Sequence, residues 1–389
     1  MLLAKISVST HTKRTLSSAV DLSKVLLYSK YSRLEFERLR TPVDDEKSLR
    51  HLLKLRGSDY QQLLDKHSSH YSAVDQIRRH LKNIGSQTRL LHRRDVSFKD
   101  IEWASAVITL GGDGTFLQAA SKILNPSLPI IGINTDTSKS YGYLCASTSL
   151  DPSHIINRLQ SGDFKVLIRQ RIRATVDNVG LLACVNLHDE QMHFFDRLQN
   201  QRRHRQTNTD HKSPRVLPVR ALNDVFVGEY VAATTSYLEA IFDNQDVLHK
   251  FKCSGMLVST GTGSTAWFAS HLRPPKKLLR QLMKNALRNS NSKQSLTESS
   301  IDSVNKKWLD SMDLPPDQFR MLYSIKDPMQ NRVFAPDIEF GSSTNIKIRS
   351  RLWDGAIVLD GSNAYGFDEG SWLNLEMLPE DSLFTISFS

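Results

Sequence analysis

Apolar residues along this chain fall into two kinds of pattern, and the change between them comes near Arg169. Val25-Leu26-Leu27-Tyr28 is a short continuous apolar run, as in a strand buried on both faces. Pro42 to Lys66 carries Leu49, Leu52, Leu53 and Leu55, then Leu63 and Leu64. This predicts two amphipathic helices broken at Gly57. Ser72 and Asp75 make a capping-box pattern, with Val74, Ile77 and Leu81 on one face behind it and Gly85 closing the helix. Thr88 to Leu91 is the next predicted strand. Val107 to Leu110 is another, turning on glycines into a helix from Thr115, and Pro129 to Ile133 is a further buried strand ending at Asn134. Strand, helix, strand with glycines at the strand ends predicts a parallel sheet covered by helices.

Beyond Arg169 the period becomes two. Arg171 to Val176, Ser236 to Ile241 and Asn345 to Arg349 alternate, a turn is expected at Asn244-Gln245-Asp246, and Ala356 to Leu359 is a buried run. These predict a second, mainly antiparallel β domain. Two inserts interrupt it. His188 to Arg215 is polar and nearly free of aliphatic residues, as in a solvated loop. Lys276 to Asp313 has the pattern of helix, polar loop, helix.

Composition narrows the class. At 389 residues, two domains are expected, and 39% hydrophobic with 24% charged residues is ordinary for a globular protein. No apolar run reaches a membrane-spanning length of about 18 residues. The net charge of +10 suits polyanionic small molecules, and the basic insert lacks the aromatic spacing that stacks nucleic-acid bases. The three cysteines, Cys145, Cys184 and Cys253, are far apart and lack zinc spacing, which predicts free thiols. His67, His70 and His80 are expected to be solvated helix residues. Residues 1–22 are basic and rich in hydroxyls, with no acid before Asp21, the composition of an organelle transit peptide.

Three stretches carry candidate chemistry. Gly111-Gly112-Asp113-Gly114-Thr115 lies between strand and helix, where backbone N–H groups and the helix dipole suit phosphate. Asp113 would repel a bare phosphate, so it either caps the turn, organises a phosphate-borne metal or takes a proton from a hydroxyl being phosphorylated. Asn223-Asp224 sits inside an apolar run. Burying either polar group there requires partners such as ribose hydroxyls, unless a strand end intervenes. Thr260 to Phe268 opens a strand into small hydroxyl residues and glycines ending in Trp267, which suits a base and its linking phosphates.

Together these three stretches, in this order and at this separation, resemble the NAD kinase family, and within it the animal mitochondrial type, from about Val25 to about Asp368. The resemblance rests on GGDGT at Gly111 to Thr115, on Asn223-Asp224 and on GTGSTAW at Gly261 to Trp267. It implies an α/β, Rossmann-like N-terminal domain over 23–165, and a β-rich, β-sandwich-like domain over 166–355 with inserts at about 188–215 and 271–320. A C-terminal segment, 356–389, would return to the first domain, and residues 1–22 would be a mitochondrial transit peptide.

The implied reaction moves the γ-phosphoryl group of ATP to the 2′-hydroxyl of NAD, with Mg²⁺. By the same resemblance Asp113 would activate the hydroxyl or orient metal-bound phosphate. Gly112, Gly114 and Thr115 would form the phosphate loop, and Asn223 and Asp224 would bind ribose. Thr262, Gly263, Ser264, Thr265, Ala266, Trp267 and Ser270 would line the adenine side, with Asn134 and Tyr143 after the neighbouring strand. Expected partners are nucleotides and a second copy of the chain in a homodimer, in the mitochondrial matrix, with no nucleic acid and no membrane span. Ser254 stands where the family usually has Asp, and Gly261 where it usually has Pro. Two alternatives remain, a GGDG-type lipid kinase and a non-catalytic NAD-binding protein. In the lipid kinases the second glycine-rich motif follows about thirty residues after the first, whereas here it lies much farther on.

Overall fold

A computed structural model describes residues 19–41, 43, 45–135, 142–146, 152–177, 184–187, 214–289, 296–331, 333–334 and 338–388. The proposed transit peptide up to residue 18 and most of the first insert lie outside them. The chain builds one sheet of mixed direction and two antiparallel sheets.

The first sheet runs β2 (Gln87–His92), β1 (Lys24–Ser29), β3 (Ala106–Leu110), β4 (Ile130–Ile133), β19 (Leu383–Ser387) and β5 (Lys165–Arg169). The first four are parallel, β19 joins β4 in parallel, and β5 closes the edge antiparallel. Helices cover both faces, which is why β1, β3 and β4 read as unbroken apolar runs. On one face Val25, Leu27, Ile108 and Ile131 pack against Val74, Ile77 and Leu81 of α3 (Tyr60–Asn83) and Ile155 and Leu159 of α6 (Pro152–Ser161). On the other, Leu26, Tyr28 and Val107 meet Ile101 of α4 (Phe98–Trp103) and Phe116, Ala119 and Ala120 of α5 (Asp113–Lys122).

Local signals explain most helix boundaries. Ser32 and Glu35 form a reciprocal capping box at α1 (Arg33–Arg40), and Asp45 caps α2 (Glu46–Leu55). Gly57 follows α2 with a positive φ of 74°, and Asp59 starts α3. Ser72, however, begins no helix: α3 runs through it for 24 residues. Continuing a helix costs less than nucleating another, and its midpoint is pinned by His70. That side chain is 1% exposed, not solvated, and hydrogen-bonds the Ser29 and Thr135 hydroxyls at 3.0 and 2.9 Å. Burial pushes its pKa down to about 4.

The second unit is a β-sandwich. One sheet has the order β11 (His249–Cys253), β10 (Ser236–Phe242), β15 (Asn345–Ser350), β18 (Trp372–Glu376), β6 (Arg173–Asp177), β8 (Arg215–Val216). The other has β14 (Phe340–Ser343), β13 (Met321–Lys326), β12 (Gly255–Ser259), β9 (Asp224–Glu229), β16 (Gly355–Leu359), β17 (Asn363–Gly366), β7 (Cys184–Asn186). A single core, including Leu238, Phe251, Ile346, Val227, Met256 and Ile357, fills the space between them. Asp243 and Asn244 take positive φ in the β10–β11 turn, as the Asn-Gln-Asp signal predicts. The second insert is two helices, α8 (Lys276–Asn289) and α9 (Glu298–Asp310), after the short α7 (Trp267–Leu272). Among the described residues, no helix is long and apolar enough to cross a membrane.

The junction between the units is ionic. Arg171 is fully buried and donates to the carbonyls of Ala120 and Ile123 at the end of α5, at 2.8 and 2.7 Å, and to that of Asp381 at 2.6 Å. It thereby satisfies helix-end acceptors that would otherwise be orphaned. Arg173 and Arg220 each reach the Asp381 carboxylate at 2.5 Å, and Leu222 joins the core beneath α5.

Candidate active site

The turn from β3 into α5 places Gly112 at the helix N-cap in extended conformation and Asp113 as the first helical residue. Asp113 does not cap its own helix. Its two carboxylate oxygens accept instead from the backbone N–H groups of Leu144 at 2.8 Å and Tyr143 at 3.2 Å, in the loop that follows β4. The carboxylate is therefore held at the carboxyl edge of the parallel sheet, beside the positive end of α5. A Cβ at Gly114 would meet nothing within 4 Å, so the helix entrance is open on that side. A Cβ at Gly111 would lie 2.3 Å from the Thr115 hydroxyl, which explains the glycine there sterically. Asn134 is fully buried at the end of β4, where Gly142 (φ +67°) closes over its amide. Cys145 lies beneath the loop, and burial, reinforced by Asp113, pushes its thiol up to about 12, which leaves it a packing residue.

Asn223-Asp224 lies at a strand end, because β9 begins at Asp224. The turn is built on Asp360, whose carboxylate accepts from the backbone N–H groups of Leu222 (2.9 Å), Asn223 (2.7 Å) and Asp224 (3.1 Å). Burial pushes the Asp360 carboxyl up to about 6 even against those three donors. Asp224 is 5% exposed, and burial followed by the neighbouring Asp360 pushes it up to about 7.

The third stretch folds directly onto this turn. Thr260 N–H and the Ser259 hydroxyl both donate to the Asn223 carbonyl, at 2.9 and 3.1 Å, and the Thr260 hydroxyl donates to that of Leu222. A Cβ at Gly263 would sit 2.1 Å from the same Asn223 oxygen, so the approach needs a glycine. Gly263–Thr265 makes one 3₁₀ turn. Ser264 is buried, while Thr265 and Ser270 are exposed. Trp267 is 41% exposed and packs on Phe226 with ring centroids 5.5 Å apart, presenting a flat surface. A Cβ at Gly261 would lie 2.2 Å from the Pro315 carbonyl, because the chain leaving α9 passes directly behind the loop. No side chain fits there. Asp313 also accepts from the Ser264 hydroxyl, so the end of the second insert braces the loop.

Arg169, at the end of β5, was not among the sequence-predicted site residues. One guanidinium nitrogen donates to the Thr262 hydroxyl at 3.2 Å, and the charge feels Asp113 across the cleft. Burial, partly offset by Asp113, lowers its pKa to about 10, so it stays cationic at neutral pH. It thus connects the first stretch to the third. The ring of Tyr143 is 80% exposed, and only its backbone serves Asp113. Among the described residues no group of three or more His, Cys, Asp or Glu could hold a metal ion. Asp113 is the carboxylate at the phosphate end that could organise a divalent cation carried by phosphate. The arrangement offers a fixed carboxylate, a cation that feels it, an open helix N-terminus and a wall of small residues with a flat aromatic.

Comparison with known proteins agrees with this arrangement. A family model described as ATP-NAD kinase N-terminal domain matches residues 37–161. The chain is 35% identical over 371 residues to the NAD kinase 2, mitochondrial, of Homo sapiens, an alignment covering 94% of this chain and 84% of that protein. Two solved structures share the fold: a yeast NADH kinase complexed with NADH (TM-score 0.51, 13% identity, 94% of this chain and 84% of that one), and an Archaeoglobus fulgidus NAD kinase in complex with ATP (TM-score 0.50, 15% identity, 94% and 93%).

Proposed function

The chain belongs to the NAD kinase family, and we propose that it transfers the γ-phosphoryl group of ATP to the 2′-hydroxyl of the adenosine ribose of NAD, giving NADP and ADP. The observation that carries this reading is the placement of Asp113: a carboxylate pinned by two backbone N–H groups at an open helix N-terminus, with its charge felt by the Arg169 that bonds the Thr262 loop. Asp113 takes the proton of the attacking hydroxyl. The N–H groups at the start of α5 receive phosphate oxygens. Asn223 and Asp224 accept from and donate to ribose hydroxyls, and the Thr262 to Trp267 wall, with Ser270, holds the adenine. Mg²⁺ enters as part of Mg-ATP and neutralises phosphate charge when bound.

Purified protein incubated with NAD and Mg-ATP should yield NADP, measured with an NADP-specific dehydrogenase. No NADP with any phosphoryl donor would overturn the reading, and phosphorylation of diacylglycerol or sphingosine in its place would restore the lipid-kinase alternative. We further propose a transit peptide over 1–22, a mitochondrial matrix location and a homodimer. Import into isolated mitochondria with removal of the leader tests the first two, and light scattering on the purified chain tests the third.

A further inference from the structure

Resting on that reaction, we propose that Arg169 is a catalytic residue whose guanidinium binds the equatorial oxygens of the phosphoryl group in transfer. Three observations converge on it. Its Nε is buried and, among the described residues, has no hydrogen-bond partner, although Nη1 of the same guanidinium is anchored to Thr262. A buried, unmatched N–H on a cation costs free energy and awaits an acceptor. Second, Arg169 and Asp113 make no ion pair, since Asp113 spends its oxygens on the Tyr143 and Leu144 N–H groups. The Arg169 charge thus feels the Asp113 carboxylate without a direct contact that would neutralise either group. Third, Arg169 ends the edge strand at the point where the chain crosses from the first sheet to the sandwich, so both units fix its position.

In the transfer the 2′-O–H bond breaks as the O–Pγ bond forms, and the proton goes to Asp113. The bond from Pγ to the β,γ-bridging oxygen breaks, with its electron pair leaving on ADP. Charge spreads over the three equatorial oxygens, where a guanidinium that feels the Asp113 carboxylate stabilises it. Lysine, a point charge without the planar fork, reproduces this only in part.

The test is steady-state kinetics on Arg169→Ala, Arg169→Lys and the parent, with NAD and ATP varied separately. The expected result for Arg169→Ala is a fall in kcat of about 10²–10³-fold, with KM for either substrate changed less than about threefold. Arg169→Lys should recover part of the loss, as should guanidinium ion added at millimolar concentration to Arg169→Ala, with an unchanged thermal midpoint. A kcat within about threefold of the parent overturns the proposal. So does a loss confined to KM for NAD, which would assign Arg169 to the dinucleotide's own pyrophosphate. A loss matched by a lowered thermal midpoint and unresponsive to guanidinium would make the residue structural. If the parent itself forms no NADP, it is the reaction and not the role of Arg169 that fails.

Discussion

Asp224→Asn should make the protein more stable and a poorer kinase. Asp224 is buried next to the half-buried Asp360, and among the described residues no side chain donates to it. Asp360 is committed to three backbone N–H groups, so it cannot relieve its neighbour. Moving a carboxyl from 3.8 to about 7 costs the folded state about 4 kcal/mol once the group is ionised in both states. Most of that cost is desolvation, with repulsion from Asp360 second, and a buried Asn amide without partners retains part of it, so removing the charge on Asp224 should gain about 2 kcal/mol. The sign follows from the raised value. The folded state holds its proton to higher pH than the unfolded chain, so parental stability falls as pH rises from about 4 through about 7. The variant lacks that slope. Urea unfolding at pH 8 should show the full gain, and at pH 5 less than half of it. Losing a charged acceptor for ribose should raise KM for NAD about tenfold or more. A variant less stable than the parent at pH 8, or equally stabilised at both pH values, would refute the reasoning.

Asp113→Asn exchanges one acceptor for an amide that opposes a backbone N–H and removes the base. A fall in kcat of about 10²–10⁴-fold is expected, read in the NADP-forming assay. Gly261→Ala drives a methyl against the Pro315 carbonyl and should lower stability by about 1–3 kcal/mol, seen as a reduced urea midpoint, with reduced activity as the loop shifts. Asp381→Asn breaks two arginine contacts at a buried site and should cost about 3–5 kcal/mol at pH 7. Burial alone would raise the Asp381 carboxyl, but the hydrogen bonds from Arg173 and Arg220 hold it below the usual range. The stability it supplies is therefore present above about pH 4 and lost as pH falls through its lower folded value. The gap between parent and variant should narrow below about pH 4 in acid-unfolding titrations.

Much of the local structure around the candidate site was legible because its signals are local. Three glycines around Asp113 specify a strand-to-helix turn, and the Gly261 to Trp267 string specifies a loop of donors with little bulk. What escaped is instructive. Ser72 and Asp75 satisfy a capping pattern, yet α3 runs straight through them, since the buried bonds of His70 hold the helix together at that point. Gly261, puzzling as a replacement for proline, becomes necessary once the chain after α9 is seen behind it. Asp360 gave no sign that it builds the Asn223-Asp224 turn from 136 residues away.

The sequence by itself determined the two units, since an unbroken apolar run and a two-residue alternation bury different numbers of faces. It also determined which short stretches could approach a phosphate, since glycine and small hydroxyl residues are a chemical requirement there. Only the tertiary structure decided where Arg169, Arg171 and Arg173 go. Alternation places all three on one face of a single strand. The chain instead leaves the first sheet and enters the sandwich between them, so one faces the cleft, one is buried against the end of α5 and one pairs with Asp381. Side-chain direction follows the sheet to which a strand belongs, and pairing between strands distant in sequence sets that.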